Sequence, residues 1–174
     1  MAANPPLDRA FMREHPAHLI ALGFGSGLAP FAPGTFGTLA GWFGFVLLAP
    51  WLNDIAWAVL IAVGFVVGLW CCRRVIDALG VHDHPAIVWD EILAFWLILW
   101  VAGPMVPDGA SGWLHQLVLF GLFRFFDAVK PPPISWLDKN VPGGLGVMLD
   151  DLAAALATLF IYAAGIRVFS GVGA

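Results

Sequence analysis

Five long apolar stretches, separated by short runs that hold most of the charged residues, limit what this chain can fold into. The stretches run from Phe36 to Leu52, Ile55 to Cys72, Ile92 to Gly103, Trp113 to Phe126 and Val147 to Phe169. Charged residues make up only 11% of the 174 residues, against about 25% in soluble domains. Lipid offers no partner to unpaired backbone groups, so such stretches cross it as helices. We therefore expect an all-α, polytopic membrane bundle of about five apolar helices.

Three of these stretches reach full length only if they include charged residues at one end. A spanning helix needs about 20 residues. The third stretch must therefore begin before Asp90 and Glu91, the fourth must continue through Arg124 to Asp127, and the fifth must include Asp150 and Asp151. Acids at the mouths of membrane helices are costly and usually functional. We predict that these acids lie at the membrane boundary.

Basic residues indicate how the chain is oriented. They lie before the first stretch, after the second and after the fourth, at Arg9, Arg13, Arg73, Arg74, Lys130 and Lys139. The connections around residues 53–54 and 103–112 contain no lysine or arginine, and Arg167 is the one exception to the alternation. This is the positive-inside pattern. With five spans, all three acidic clusters are predicted to meet at the cytoplasmic face.

The region before the first span differs from the rest. Residues 1–17 are polar and basic and have no apolar core before a cleavage site, so we expect no cleaved signal peptide. We predict a polar cytoplasmic segment over residues 1–17 and a single membrane-embedded domain over residues 18–170. Residues 19–38 are apolar yet broken by glycines and prolines, and backbone of this kind at membrane depth must be covered or line a wet cavity. We interpret them as a cytoplasmic or re-entrant loop over the acidic mouth.

The first acidic cluster comprises Asp83, Asp90 and Glu91. Mg²⁺ prefers carboxylate oxygens, completed by water and phosphate oxygens. Acids at a helix start also complement the helix dipole, so this cluster alone leaves both interpretations open. His82 and His84 lie nearby, and we favour loop or supporting roles for them.

The second cluster combines Arg124, Asp127 and Lys130. Arg124 and Asp127 are three residues apart and share a helix face, so they can pair. Pro131 disfavours helical geometry at Lys130, which should end the helix there and turn the ammonium towards the acids. A cation beside carboxylates suits phosphate binding and also a plain salt bridge. The prolines that follow favour a stiff, extended connection.

The third cluster is Asp150–Asp151, just after the glycines of residues 143–146. Glycines before a helix let backbone N–H groups approach a phosphate, and a helix start favours anions. Capping explains one aspartate better than two. In the Gly/Pro-rich loop, Ser26, Thr35 and Thr38 are candidate substrate contacts, although Thr35 is favoured as the N-cap of the next helix. The loop glycines match neither a P-loop nor a dinucleotide fingerprint.

The sequence offers no obvious covalent nucleophile. It lacks the Gly-x-Ser-x-Gly elbow, the cysteine-phosphatase loop and the Asp-x-Asp start of aspartyl phosphatases. Water activated by a metal is therefore favoured over a covalent intermediate.

Taken together, the motifs resemble the bacterial phosphatidylglycerophosphatase A family. The resemblance covers about residues 18–169 and rests on residues 25–27 and 33–35, the run 82–91, and the residues Phe126, Asp127, Lys130, Pro131, Asp150 and Asp151. It implies a multi-pass protein of the bacterial inner membrane with its active site on the cytoplasmic side. It also implies a Mg²⁺-dependent phosphatase that converts phosphatidylglycerophosphate to phosphatidylglycerol and phosphate. The partner implied is a phospholipid in the membrane, with no nucleic acid.

The resemblance and the residues themselves together suggest the following roles, and the roles of Ser26, Thr35, Thr38, Arg124 and His84 rest on the residues alone. The pool of metal ligands is Asp90, Glu91, Asp127, Asp150 and Asp151. The catalytic group is Asp83, Glu91, Asp127 and Lys130, with Asp83, Glu91 or His84 positioning the attacking water. The substrate contacts are Ser26, Thr35, Thr38, Arg124 and Lys130.

Two alternatives remain open at this point. A small transport or ion-pathway protein would use membrane acids as a relay, and it would distribute them through the membrane depth. A lipid-forming phosphotransferase would carry a long Asp-Gly…Asp…Asp helix signature, which is absent here.

Overall fold

The structure, a computed structural model, describes residues 7–81, 83–106 and 110–171. Within these ranges the chain is helical and has no β-strand, which confirms the all-α prediction. The helices are α1 (Arg9–Glu14), α2 (Pro16–Ala21), α3 (Pro33–Leu48), α4 (Asp54–Leu79), α5 (Trp89–Ala102), α6 (Ala110–Val129), α7 (Ile134–Asn140) and α8 (Gly143–Gly171). Two 3₁₀ segments, Gly23–Leu28 and Gly103–Met105, join α2 to α3 and follow α5.

Five of these helices, α3, α4, α5, α6 and α8, coincide with the five apolar stretches. As the length argument requires, α5 begins before Asp90, α6 continues beyond Asp127, and α8 begins before Asp150. Two segments of the described chain, Asp54–Leu79 and Gly143–Val168, are long and apolar enough to cross a membrane, and α3 is a shorter apolar helix. The number of spans stays a prediction.

Helix α5 lies at the centre of the bundle. It packs against α3, α4, α6 and α8, and of its 14 residues only Leu97, Trp100 and Val101 are not buried. Glycines allow this close packing, since a Cβ at Gly41 of α3 would lie 3.0 Å from Ile92 Cα. A central helix that is apolar on all sides needs protein or lipid around it everywhere. Because α5 lies at the centre of the bundle, its amino-terminal turn brings Asp90 and Glu91 into the interior.

The outer faces of the bundle are apolar. Large side chains on four different helices are well exposed, among them Phe43, Val66, Trp113 and Phe160. Exposed apolar surface on this scale marks an interaction surface in a water-soluble protein. Around a bundle with an apolar α4 and α8, it fits contact with lipid.

The two connecting regions are more helical than the sequence suggests. The Gly/Pro-rich region is not one loop, because α2, the 3₁₀ segment Gly23–Leu28 and the start of α3 lie within it. Helix α2 also crosses the predicted boundary at residue 17, and Ala17 is fully buried. The connection after Lys130 was predicted to be extended, and this was wrong. The three prolines form a turn that leads into α7, because proline is well tolerated just before and at a helix start.

Candidate active site

A cavity of about 220 Å³ lies where the amino-terminal turns of α3, α5 and α8 meet the carboxyl end of α6. Nine of its lining residues carry ionisable side chains: Asp83, His84, Asp90, Glu91, Arg124, Asp127, Lys130, Asp150 and Asp151. The structure therefore brings the three acidic clusters of the sequence to one place.

Three carboxylates from three different helices form the centre of this cavity. Glu91 of α5, Asp127 of α6 and Asp151 of α8 each present an oxygen, and these oxygens lie within 4.8 Å of one another. Glu91 Oε2 and Asp151 Oδ2 are buried and have no hydrogen-bond partner within the described chain. Buried carboxylates without partners repel one another and lack the water they would have outside. A divalent cation would satisfy both needs, so the donor set fits a metal that prefers oxygen.

Arg124 holds two of these carboxylates from one side. Its Nη1 donates to Glu91 Oε1 at 2.9 Å and contacts Asp127 Oδ2 at 2.6 Å. The same nitrogen lies 3.5 Å from Thr38 Oγ1. The two oxygens of Glu91 therefore differ in their contacts. Oε1 accepts a hydrogen bond from the guanidinium, while Oε2 has no hydrogen-bond partner within the described chain. Arg124 fixes the orientation of both acids.

Lys130 also lines the cavity. Helix α6 ends at Val129, as predicted from Pro131, and Lys130 has a φ of 45°, a left-handed conformation that is costly for this residue type. Its ammonium contacts Asp138 Oδ1 at 2.7 Å and also Asp150 Oδ2. Burial lowers the pKa of Lys130, but hydrogen bonds to Asp138 and Asp150 outweigh it and raise the pKa above its usual range. Lys130 therefore remains charged.

Asp90 and Asp150 stand beside the three central acids. Each accepts a hydrogen bond on Oδ1 from the backbone N–H of the next residue, both at 3.0 Å. The second oxygen of Asp150 pairs with Lys130, while Asp90 lines the cavity wall. Of the five predicted metal ligands, three therefore meet closely and two occupy the adjoining wall.

Comparison with known proteins shows which family this chain belongs to. A family model described as "Phosphatidylglycerophosphatase A" matches residues 19–166. The chain belongs to this family. It is 38% identical to the phosphatidylglycerophosphatase A of Haemophilus influenzae over 161 residues, 92% of this chain and 94% of that protein. It is 39% identical to the Escherichia coli protein of the same name over 161 residues, 91% of this chain and 85% of that protein.

A third relative carries a different name. A "Putative phosphatidylinositol-3-phosphatase" of Bacteroides thetaiotaomicron is 35% identical over 150 residues, which is 83% of this chain and 90% of that protein. No solved structure matches the chain. Proteins similar to this phosphatidylglycerophosphatase A family member are thus named for two different phospholipid headgroups.

The three hydroxyl groups that the sequence proposed as substrate contacts lie in different surroundings in this member of the phosphatidylglycerophosphatase A family. Thr38 is fully buried and donates to Gly34 O at 2.9 Å, next to Arg124. Ser26 donates to Gly23 O at 2.8 Å and lines a separate cavity beside α1. Thr35 was favoured as a helix N-cap, and this was wrong, because Pro33 starts α3 and Ala32 is the N-cap. Neither Ser26 nor Thr35 lines the acidic cavity.

The rim of the cavity is formed by the segment before α5. Asp83 is exposed there, and its Oδ1 accepts a hydrogen bond from the backbone N–H of His84 at 2.6 Å. His84 is buried, and its Nδ1 accepts from the N–H of Ala86 at 3.1 Å. His82 lies outside the described residues.

Sequence reasoning missed Asp138, which binds Lys130 from α7. Its contribution depends on the prolines that turn the chain back over the cavity, and the sequence pattern indicated an extended segment instead. The helical spacing within residues 134–140 was the only signal that could have revealed it.

Proposed function

We propose that this chain hydrolyses the phosphomonoester of phosphatidylglycerophosphate and releases phosphatidylglycerol and inorganic phosphate. The observation that carries the proposal is the group of Glu91, Asp127 and Asp151, with two buried oxygens that lack a partner in the described chain. In the reaction, a water oxygen bonds to phosphorus and the bond from phosphorus to the glycerol oxygen breaks. One proton of the water then goes to the glycerol oxygen that leaves.

Glu91, Asp127 and Asp151 would hold Mg²⁺, and the phosphate oxygens and water would complete its coordination. Bound there, Mg²⁺ supplies charge neutralisation at the phosphate and lowers the pKa of bound water. Oxygen donors alone, with neither sulfur nor imidazole among the three, favour this ion over softer metals.

Two cations of the chain lie beside the acids. Lys130 remains an ammonium because of its two carboxylate partners, and the cavity wall holds it in place. A fixed positive charge stabilises the negative charge that grows on the phosphoryl group during transfer. Arg124 has its Nη1 engaged with Glu91 and Asp127, so its main task is to position these acids.

Asp83 is suited to position the attacking water. It is an exposed acid that lines the cavity, where water and the lipid headgroup would arrive. A carboxylate in this place can accept a proton as the water attacks.

The same observations support a membrane arrangement. We infer a multi-pass protein of the bacterial inner membrane in which α3, α4, α5, α6 and α8 cross the bilayer. The acids of α5, α6 and α8 then lie at the cytoplasmic ends of these helices, where lysine and arginine also concentrate. The acyl chains of the substrate stay in lipid while its phosphate reaches the cavity. An ion relay would instead need acids along the depth of the bundle.

Phosphate release from detergent-dispersed phosphatidylglycerophosphate, with and without EDTA, tests the proposal. We expect release that EDTA abolishes and that Mg²⁺ restores. Asp127→Asn and Asp151→Asn should each remove nearly all turnover while the protein still folds, whereas Asp77→Asn, an exposed acid on α4, should retain it. Near-normal release by either site variant would contradict the assignment.

A panel of lipid phosphates should accompany this assay, because one relative is named a putative phosphatidylinositol-3-phosphatase. We expect the highest kcat/KM for phosphatidylglycerophosphate. Ion flux through reconstituted vesicles without phosphate release would favour the transport alternative.

A further inference from the structure

A second cavity, which is almost entirely apolar, opens beside the acidic one. It measures about 340 Å³ and lies between α4, α5 and α8. Its α5 wall consists of Asp90, Leu93, Ala94 and Leu97, and their spacing of three and four places them on one helix face. Seven helical residues rise about 10 Å, so this wall forms an elongated groove.

The groove is open towards the side of the bundle. Its α4 wall consists of Ala58, Ile61, Ala62 and Phe65, again on one helix face, and both alanines are exposed. Leu93 and Ala94 form a buried floor, each 4% exposed. The small side chains of α4 leave the space that a long apolar chain would need, and the opening lies on the face that meets lipid.

Asp90 joins the two cavities, because it lines both of them. On α8, two neighbouring residues line different cavities: Met148 lines the groove and Val147 lines the acidic cavity. A molecule with its phosphate beside Lys130 therefore finds an apolar channel that begins at the wall of the phosphate site. A phospholipid has this combination of a charged end and an apolar chain.

We propose that the groove binds one acyl chain of the phospholipid whose phosphate occupies the acidic cavity, an inference that rests on the proposed function. Surrounding lipid is as apolar as the groove, so no hydrophobic gain drives this binding. The benefit is orientation, because a fixed chain restricts where the phosphomonoester can lie relative to the three acids.

The test fills the groove without disturbing the site. Ala62→Phe places a ring into the opening, while Val63→Phe places the same ring on the next residue of α4, which is 55% exposed and does not line the groove. Ala58→Phe and Val59→Phe form a second matched pair further from Asp90. Each variant is assayed in one detergent with dioleoyl and with dihexanoyl phosphatidylglycerophosphate.

On the dioleoyl substrate, we expect Ala62→Phe and Ala58→Phe to lower kcat/KM by about tenfold relative to their valine controls, equivalent to about 1.4 kcal/mol. On the dihexanoyl substrate, kcat/KM should fall less than on the dioleoyl substrate. The fall should be smallest for Ala58→Phe, because the short chains end before that residue. Equal kcat/KM for Ala62→Phe and Val63→Phe on both lipids would overturn the proposal. If the wild-type protein self-associates and Ala62→Phe abolishes this association with kcat/KM unaltered, the proposal is also overturned, since the groove would then be an interface between copies.

The wild-type protein separates this inference from the proposed function. If it releases no phosphate from either lipid, the proposed function fails and the acyl-chain site fails with it. If it is active and the matched variants do not differ, only the acyl-chain site is overturned.

Discussion

Glu91 has one oxygen bound to Arg124 and one buried oxygen without a partner in the described chain. Glu91→Gln keeps an oxygen for the guanidinium but removes a negative charge from the centre. Because a neutral ligand binds Mg²⁺ less well, we expect kcat to fall by about 100-fold and the Mg²⁺ concentration for half-maximal rate to rise. A Mg²⁺ titration of phosphate release measures both. Glu14→Gln, at an exposed acid of α1, is the control, and equal titrations would contradict the role of Glu91.

Adjacent acids show what the sequence could and could not predict about the site. The motifs placed all five acids of the predicted metal pool correctly around one cavity. They could not assign roles within Asp90–Glu91 or Asp150–Asp151, because neighbouring residues point about 100° apart on a helix. Only one of each pair faces the central group, and which one depends on the rotation of the helix. That rotation is set by packing between helices, which a single sequence does not record.

Lys130 pairs with a buried acid in addition to its proposed role at the phosphate. The side chain of Asp150 is 6% exposed, so Lys130→Met would leave its charge without the ammonium. Loss of one partner of a buried pair is costly, and we expect about 2 kcal/mol of stability to be lost, less than in a fully buried pair. Thermal unfolding in detergent measures this change, and phosphate release should become very low.

The double variant Lys130→Met with Asp150→Asn provides the control for that prediction. It removes the unpaired charge, so it should recover stability while activity stays low. If the double variant unfolds at the same temperature as Lys130→Met, the stabilising role of the pair is excluded.

At the scale of elements, the first turn of α3 reaches the acidic centre because it carries a glycine. A Cβ at Gly34 would lie 2.0 Å from Glu91 Oε1 and 2.9 Å from Arg124 Nη2. Gly34→Ala must therefore displace the carboxylate or the whole turn, and we expect kcat to fall about tenfold or more. Gly121→Ala on α6 meets nothing within 4 Å and should keep full activity. The two kcat values decide whether this contact matters.

The elements also differ in how far the sequence predicts them. Apolar length fixed the five long helices, and the length of a span correctly required α5 and α8 to begin before their acids. The helices α2 and α7 were missed, because glycine and proline around them favour loops locally. Packing against the bundle, and not local sequence preference, makes these short segments helical. Ala17 of α2 and Ile134 of α7, for example, are both almost completely buried.

At the scale of the whole molecule, the site joins helices that are far apart in sequence. Glu91, Asp127 and Asp151 belong to α5, α6 and α8, and their carboxylates repel one another when they are ionised, which opposes the packing of these helices. The groove beside them lies between α4, α5 and α8. The three-carboxylate site and the groove both require the same packed bundle. Catalysis and folding therefore both depend on how the repulsion between the three carboxylates is relieved.

A cation bound between the three helices should therefore stabilise the entire bundle. A ligand that binds only the folded state adds about 2.7 kcal/mol when its concentration is 100 times its Kd. We expect Mg²⁺ to raise the unfolding temperature of the EDTA-treated protein, followed in detergent by tryptophan fluorescence. Asp151→Asn should lose most of this gain, and it should unfold no earlier than the wild-type protein in EDTA, because one repelling charge is gone. The exposed-site variant Asp77→Asn should respond to Mg²⁺ like the wild type. A Mg²⁺ response that survives in Asp151→Asn would place the ion elsewhere and contradict the three-helix site.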